Sequence, residues 1–292
     1  MDSANRSQSL TAELEARLET DFALRRLPLP GGQQALRECG QGPVVVLLHG
    51  IGSTAASWLQ VALQLASHAR VIAWDAPGYG ESSPLASPAP KAEDYAERLG
   101  QMLDALQVER CLLVGHSLGA LPALAYACTE GARRVERLAL ISPARGYGEA
   151  QRMQVGREVR QQRLDQLQYL GLAALAQQRG PDLVSPRATA QARAWAQWNM
   201  ARLNPQGYRQ AIELLCGDEL LRHGAPAMPC TVHCGDVDQI TPVVSCRLIA
   251  QALGASFQVI ADAGHASPIE RPHEVAGRLA ALLTPCLKGD CP

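Results

Sequence analysis

The strongest constraint on the fold is a run of five apolar residues, Val44 to Leu48, that stops abruptly at His49-Gly50. A stretch apolar at every position has no solvent face, so it suits a strand covered on both sides, as in a parallel sheet. The same pattern recurs at Val71–Trp74, Cys111–Val114, Leu138–Ile141, Thr231–Cys234 and Phe257–Ile260. Amphipathic stretches of helical length separate most of them, at 55–68, 92–107, 118–130, 243–253 and 272–283. Strands alternating with helices predict an α/β fold around a mostly parallel sheet with right-handed crossovers. Ahead of this body, Leu10, Leu14 and Leu18 predict a short helix over 9–22, and Gly31-Gly32 predict a hairpin turn.

One interval breaks the rhythm. From about Ala144 to Met228 there is no convincing strand, only helical periodicity with breakers at Gly171, Gly180-Pro181, Pro186, Pro205 and Gly224. Residues 144–228 are therefore expected to form several short helices inserted into a body made of 1–143 and 229–292. With 292 residues, two independent domains would also fit, but one interrupted sheet accounts for the pattern.

Charge and cysteine content exclude several classes of function. Basic and acidic side chains number 27 and 28, so the net charge of −1 provides no general field for nucleic acid or an anionic membrane. No apolar run approaches the ~18 residues of a membrane span. The N-terminus lacks a basic region followed by an apolar core, which points to a cytoplasmic chain. Nine scattered cysteines without CxxC spacing argue against a disulfide framework or a zinc site. Cys230, His233 and Cys234 are close in sequence, but neighbours on a strand face opposite sides, so buried thiols are the better reading. Cys286 and Cys291 could pair under oxidising conditions.

The strand Cys111–Val114 leads into Gly115-His116-Ser117-Leu118-Gly119 and then a helix. This G-x-S-x-G segment has the strand–turn–helix setting that presents a serine hydroxyl at the end of a sheet, beside helix N–H groups that favour negative charge. A nucleophilic serine needs a base and an acid, following it in that fold in the order Ser, Asp or Glu, His. His265 follows the last strand on a short loop, where a base must hang. His273 falls in the first turn of the next helix, facing solvent. His116 adjoins the serine and is expected to point away from it as a packing residue, and His49 to brace its own loop. The end of strand Thr231–Cys234 supplies two acids, Asp236 and Asp238, and nothing in the spacing alone separates them.

The segments LLHGIGST at 47–54, WDAPGYGES at 74–82, VGHSLG at 114–119, GDVDQITP at 235–242 and AGHASPIERP at 263–272 together resemble the α/β-hydrolase fold superfamily, in particular members with a helical cap. The resemblance implies an eight-stranded, mostly parallel sheet flanked by helices, with 144–228 as the cap. It implies Ser117 as nucleophile, His265 as base and, from the second aspartate of G-x-x-D-x-x-x-P, Asp238 as acid. It implies an oxyanion hole made by the backbone N–H groups of Ile51 and Leu118, and neither metal nor cofactor. Superfamily members with an aspartate nucleophile are excluded by Ser117, and no Gly-Gly-Gly segment is present. The expected activity is hydrolysis of small carboxylic esters or enol-lactones. C–C bond hydrolases of ring-cleavage products are an alternative, although similar enzymes carry Trp where Ala266 stands. A non-catalytic ligand-binding member is another.

The net charge conceals an asymmetry. Residues 144–228 contain eleven arginines and seven carboxylates, a net of +4, which leaves −5 on the remainder. A basic cap could attract an anionic small-molecule substrate, or be an ordinary solvated helical surface. Trp195, Trp198 and Met200 are candidates to line a substrate pocket, with packing inside the cap as the competing role.

Overall fold

A computed structural model describes residues 3–283. In chain order the elements are α1 (Ser3–Thr20), β1 (Leu24–Leu29), β2 (Gly32–Cys39), β3 (Val44–Leu48), α2 (Leu59–Leu65), β4 (Arg70–Trp74), α3 (Ala92–Ala105), β5 (Cys111–His116) and α4 (Ala120–Ala127). They continue with β6 (Val135–Ile141), α5 (Met153–Arg179), α6 (Ala190–Ala201), α7 (Pro205–Gly217), β7 (Cys230–Gly235), α8 (Val243–Leu253), β8 (Ser256–Ile260), α9 (Ser267–Glu270) and α10 (Pro272–Leu283). The strands form one eight-stranded sheet in the order β1-β2-β4-β3-β5-β6-β7-β8. From β4 to β8 every pairing is parallel, while β1 and β2 form an antiparallel hairpin at one edge. The hairpin turns at Gly31 and Gly32, whose φ values of 77° and 133° favour glycine.

The apolar runs are explained by two separate cores. Val45 and Leu47 of β3 pack with α1, α2 and α10, whereas Val46 and Leu48 pack with α3, α4 and α8. Leu112 and Val114 of β5 join the first core, and Leu113 joins the second. Side chains alternate across a strand, so both faces must be apolar when helices cover both. The exception is β8. The run Phe257–Ile260 reads like the other strands, but β8 lies at the sheet edge and only Ile260 in it is fully buried.

Three helices, α5 to α7, lie between β6 and β7, with no named strand among them. The span α5 comprises two helical stretches that meet in a kink at Gly171, one of the expected breakers, where φ is 70° and ψ is 171°. The helix α1 begins earlier than expected; Leu14 and Leu18 are buried, and Arg202 at the end of α6 pairs with its Glu15 at 3.5 Å. No helix among the described residues is long and apolar enough to cross a membrane. Cys286 and Cys291 lie outside the described residues; the seven described cysteines are free thiols.

The topology gathers the chain's polar loops. Parallel strands end on the same edge, and consecutive connections diverge beside β3 and β5, leaving a crevice there. Leu48 of β3 pairs with Gly115 of β5, so His49-Gly50-Ile51 emerges next to His116-Ser117-Leu118. Ile141 is the register partner of both His116 and His233, which brings the ends of β6 and β7 alongside.

Candidate active site

Ser117 follows β5 directly with φ 52°, a left-handed conformation that costs a non-glycine residue free energy. The sharp turn needs bare neighbours. A Cβ on Gly115 would lie 2.7 Å from Cα of Ala120, and one on Gly119 would lie 2.5 Å from the carbonyl oxygen of Leu48. A Cβ on Gly50 would come within 2.9 Å of the Ser117 Cβ. The spacing of the G-x-S-x-G segment is thus set by close packing of backbone against backbone.

His265 sits between β8 and α9, and its Nε2 is 2.8 Å from Ser117 Oγ. Its Nδ1 is 3.0 Å from Asp238 Oδ2, in the loop after β7. Asp238 is buried and accepts hydrogen bonds from the backbone N–H groups of Ile240 and Thr241 on Oδ1, at 2.8 and 2.9 Å. Burial pushes the Asp238 carboxyl up, but the charge of His265 and the bonds from His265 and Thr241 outweigh it and hold the group well below the usual carboxylate range. Asp236 turns elsewhere, accepting the N–H of Ala263 at 3.0 Å as an ordinary turn residue. His273 is exposed at the start of α10.

Two further residues, His116 and Thr241, belong to this cluster. His116 is a buried packing residue, as expected, but it does not point away. Its Nε2 lies 2.9 Å from the His265 carbonyl oxygen, and the two rings are 5.1 Å apart. Burial, reinforced by the His265 charge, pushes the His116 imidazole down to about 3, so it is neutral and donates through Nε2. Thr241 lies 2.8 Å from Asp238 Oδ2 and 3.2 Å from His265 Nδ1 through its hydroxyl. Thr241 stood in a quoted motif, but only the folded loop shows what its hydroxyl touches.

Ile51 and Leu118 line the same cavity as Ser117 and His265. The peptide that carries the Ile51 N–H is fixed from behind. His49 Nε2 accepts the N–H of Ala76 at 2.9 Å, which leaves Nδ1–H to donate to the Gly50 carbonyl at 2.8 Å. A trans peptide points its N–H opposite its C=O, so this bond orients the Ile51 N–H. The Tyr79 hydroxyl holds the next carbonyl, that of Ile51, at 2.9 Å. Thr54 caps the following turn, its hydroxyl accepting from the N–H of Ala56 at 3.3 Å.

The cavity encloses about 260 Å³. Met200 lines it and is at the same time buried in the core of the body. Trp195 and Trp198 do not line it. They stack on each other at 4.4 Å, with the Arg202 guanidinium 3.7 Å above Trp198. The cause is helical phase: Ala196 and Met200, four apart on α6, face the cavity, while Trp195 faces the core shared with α1. Arg145, Arg152, Arg163 and Arg179 also line the cavity and were not distinguishable among the insertion's arginines by sequence. Cys230, His233 and Cys234 do not converge. Among the described residues the single cluster with metal-ligand spacing is Glu93, Asp218 and His223, and Arg222 already pairs with both of its acids at 2.5 Å.

The comparisons with known proteins agree with this architecture. The family model of the alpha/beta hydrolase fold matches residues 43–272. An uncharacterized protein of Mycobacterium tuberculosis is 39% identical over 113 residues, 38% of this chain and 32% of that protein. The chain thus spans about a third of the length of the first curated relatives it matches. The (E)-2-((N-methylformamido)methylene)succinate hydrolase of Acinetobacter baylyi is 26% identical over 253 residues, covering 84% of this chain and 92% of that enzyme. Among solved structures, the enol-lactonase of Burkholderia xenovorans superposes with a TM-score of 0.79 at 24% identity, over 89% of this chain and 99% of that one. With its eight-stranded sheet, its serine turn after β5 and a family match across most of its length, this chain belongs to the alpha/beta hydrolase fold family.

Proposed function

We propose that the protein is a serine hydrolase of small carboxylic esters or enol-lactones, working through an acyl-enzyme. The observation that carries this reading is the continuous contact from Ser117 Oγ to His265 Nε2, 2.8 Å, and from His265 Nδ1 to Asp238 Oδ2, 3.0 Å, at the wall of a cavity. As Oγ attacks the substrate carbonyl carbon, its proton passes to His265 Nε2, and Asp238 stabilises the imidazolium. The carbonyl oxygen becomes an oxyanion facing the N–H groups of Ile51 and Leu118, each worth about 3 kcal/mol to the transition state. Collapse expels the alcohol oxygen, which takes the proton from His265 and leaves acyl-Ser117. Water then attacks the acyl group, giving its proton to His265, and the second collapse returns that proton to Ser117 and frees the acid. In a lactone the expelled oxygen remains tethered to the acyl group, and the same steps open the ring.

The helical segment 144–228 acts here as a cap, supplying Met200, Tyr208 and the cavity-lining arginines. Two similar proteins, an enol-lactonase in structure and a succinate-derivative hydrolase in sequence, support hydrolysis at a carbonyl centre. The test compares p-nitrophenyl esters, an enol-lactone and a vinylogous diketo acid as substrates for the purified chain. Turnover of the esters or the lactone, lost in Ser117→Ala, supports the reading. Turnover of the diketo acid alone replaces it with C–C hydrolysis.

A further inference from the structure

The cavity has a cationic end that ester hydrolysis alone does not require. Arg163 and Arg179 of α5 line it together with Tyr208 of α7. On an unbroken helix, sixteen residues would separate the two arginines by about 24 Å. They reach one cavity because α5 breaks at Gly171 in a conformation open essentially to glycine. The two halves then meet, with Arg179 Nη1 donating to Gln166 Oε1 at 3.4 Å.

Five other arginines of the insertion, Arg145, Arg160, Arg187, Arg202 and Arg222, pair with acids, whereas Arg152 on the cavity wall donates to the Gly146 carbonyl and lies over the Tyr147 ring. Arg160 pairs with Glu213 at 2.6 Å, and Arg145 pairs with Glu149 and Glu219. Among the described residues, neither Arg163 nor Arg179 has a carboxylate at ion-pair distance. Arg163 donates Nη1 to the Tyr208 hydroxyl at 3.1 Å, and its Nε is buried without a protein partner. Burial, and then the charge of Arg163, lower the Arg179 guanidinium from its ordinary range, so the two cations sense each other. Unpaired, partly desolvated like charges are costly, and an anion between them relieves both costs. Guanidinium forks match a planar carboxylate, which they bind through paired N–H donors.

We propose that Arg163 and Arg179, beside Tyr208, form a carboxylate subsite, so that the substrate carries a free carboxylate in addition to the bond that is cleaved. This rests on the serine-hydrolase reading above and narrows its substrate class to anionic esters or lactones.

The test uses two size-matched pairs. Mono-p-nitrophenyl adipate against p-nitrophenyl hexanoate places the acid on the acyl side. 4-Acetoxybenzoate against 4-acetoxybenzamide places it on the leaving group. In at least one pair the acid is expected to show kcat/KM about tenfold or more above its neutral partner, in keeping with one charge-assisted contact. Arg163→Met and Arg179→Met should lower that ratio about tenfold, mainly by raising KM for the acid, and Arg179→Lys should recover part of it. Free adipate should inhibit the wild-type protein at lower concentration than hexane-1,6-diol, a readout that needs no variant to fold. Preference for the neutral member in both pairs, or variants that depress both members alike, overturns the proposal. Hydrolysis retained by Ser117→Ala overturns the serine reading instead, and calorimetric titration of adipate into Ser117→Ala tests the arginines apart from it. Adipate heat in that titration supports the subsite, and none overturns it.

Discussion

His116 Nε2 donates to the backbone carbonyl of His265 at 2.9 Å, so the residue before the serine holds the backbone of the residue that faces it. The bond crosses from the end of β5 to the loop after β8 and fixes the distance between Ser117 and the imidazole. His116→Phe keeps a ring of similar size but leaves a buried carbonyl unpaired, at a cost of about 1–3 kcal/mol. The expected result is a lower melting temperature and a kcat reduced about tenfold with KM little changed, because the imidazole is displaced and the cavity is not. His116→Gln, which retains a donor, should recover part of the kcat. Steady-state kinetics and thermal melts on the two variants check this.

The two aspartates after β7 should separate cleanly. Asp238→Asn places an amide against His265 Nδ1 and favours the wrong tautomer, so kcat should fall by about three to four orders of magnitude. Asp236→Asn keeps an acceptor for the Ala263 N–H and should change kcat by less than about threefold. Ester hydrolysis by both variants, with circular dichroism to establish folding, gives the comparison.

The close packing around the serine turn predicts opposite outcomes for two glycines. In Gly119→Ala the new methyl meets the backbone oxygens of Leu48 and His49 at 2.5 and 2.7 Å, atoms that cannot rotate away. Overpacking of this kind costs about 1–3 kcal/mol or more, and the melting temperature should fall. Gly277 lies in α10 with nothing within 4 Å of an added Cβ. Gly277→Ala should raise stability by up to about 1 kcal/mol through helix propensity. Urea unfolding of both variants measures the contrast.

Buried histidines give the protein an acid weakness. Burial pushes His49 and His116 down to about 4 and 3, and His233 to about 4. Between pH 6.5 and about 4 the unfolded chain therefore binds protons that the folded chain refuses, and stability falls as pH falls. Asp75 works in the opposite direction, since burial raises it to about 6 and the folded state gains its proton first. Three groups against one leave a net loss. The urea midpoint should be lower at pH 5 than at pH 7, and a midpoint equal or higher at pH 5 would mean that the buried histidines do not govern acid stability.

Much of the body was legible because its signals are local. The runs at β3 and β5 are apolar on both faces since helices cover both, and the glycines around Ser117 mark a turn with no room for side chains. The choice between Asp236 and Asp238 was not local. It depended on which carboxylate the loop after β7 aims at His265, and residue spacing is silent on aim. The insertion was hardest for the same reason. Helical periodicity shows that Trp195 and Trp198 lie near one stripe of α6, but α1 decides which stripe is core. Gly171 was visible as a breaker, but the direction in which the chain turns there, which brings Arg163 and Arg179 to one cavity, was not.

Intact-protein and peptide mass spectrometry after treatment with a fluorophosphonate decides whether Ser117 is the nucleophile. One phosphonyl adduct per chain is expected, on Ser117, with parallel loss of ester hydrolysis, and no adduct on the Ser117→Ala protein. An unlabelled Ser117 in a folded chain that hydrolyses esters would contradict that role.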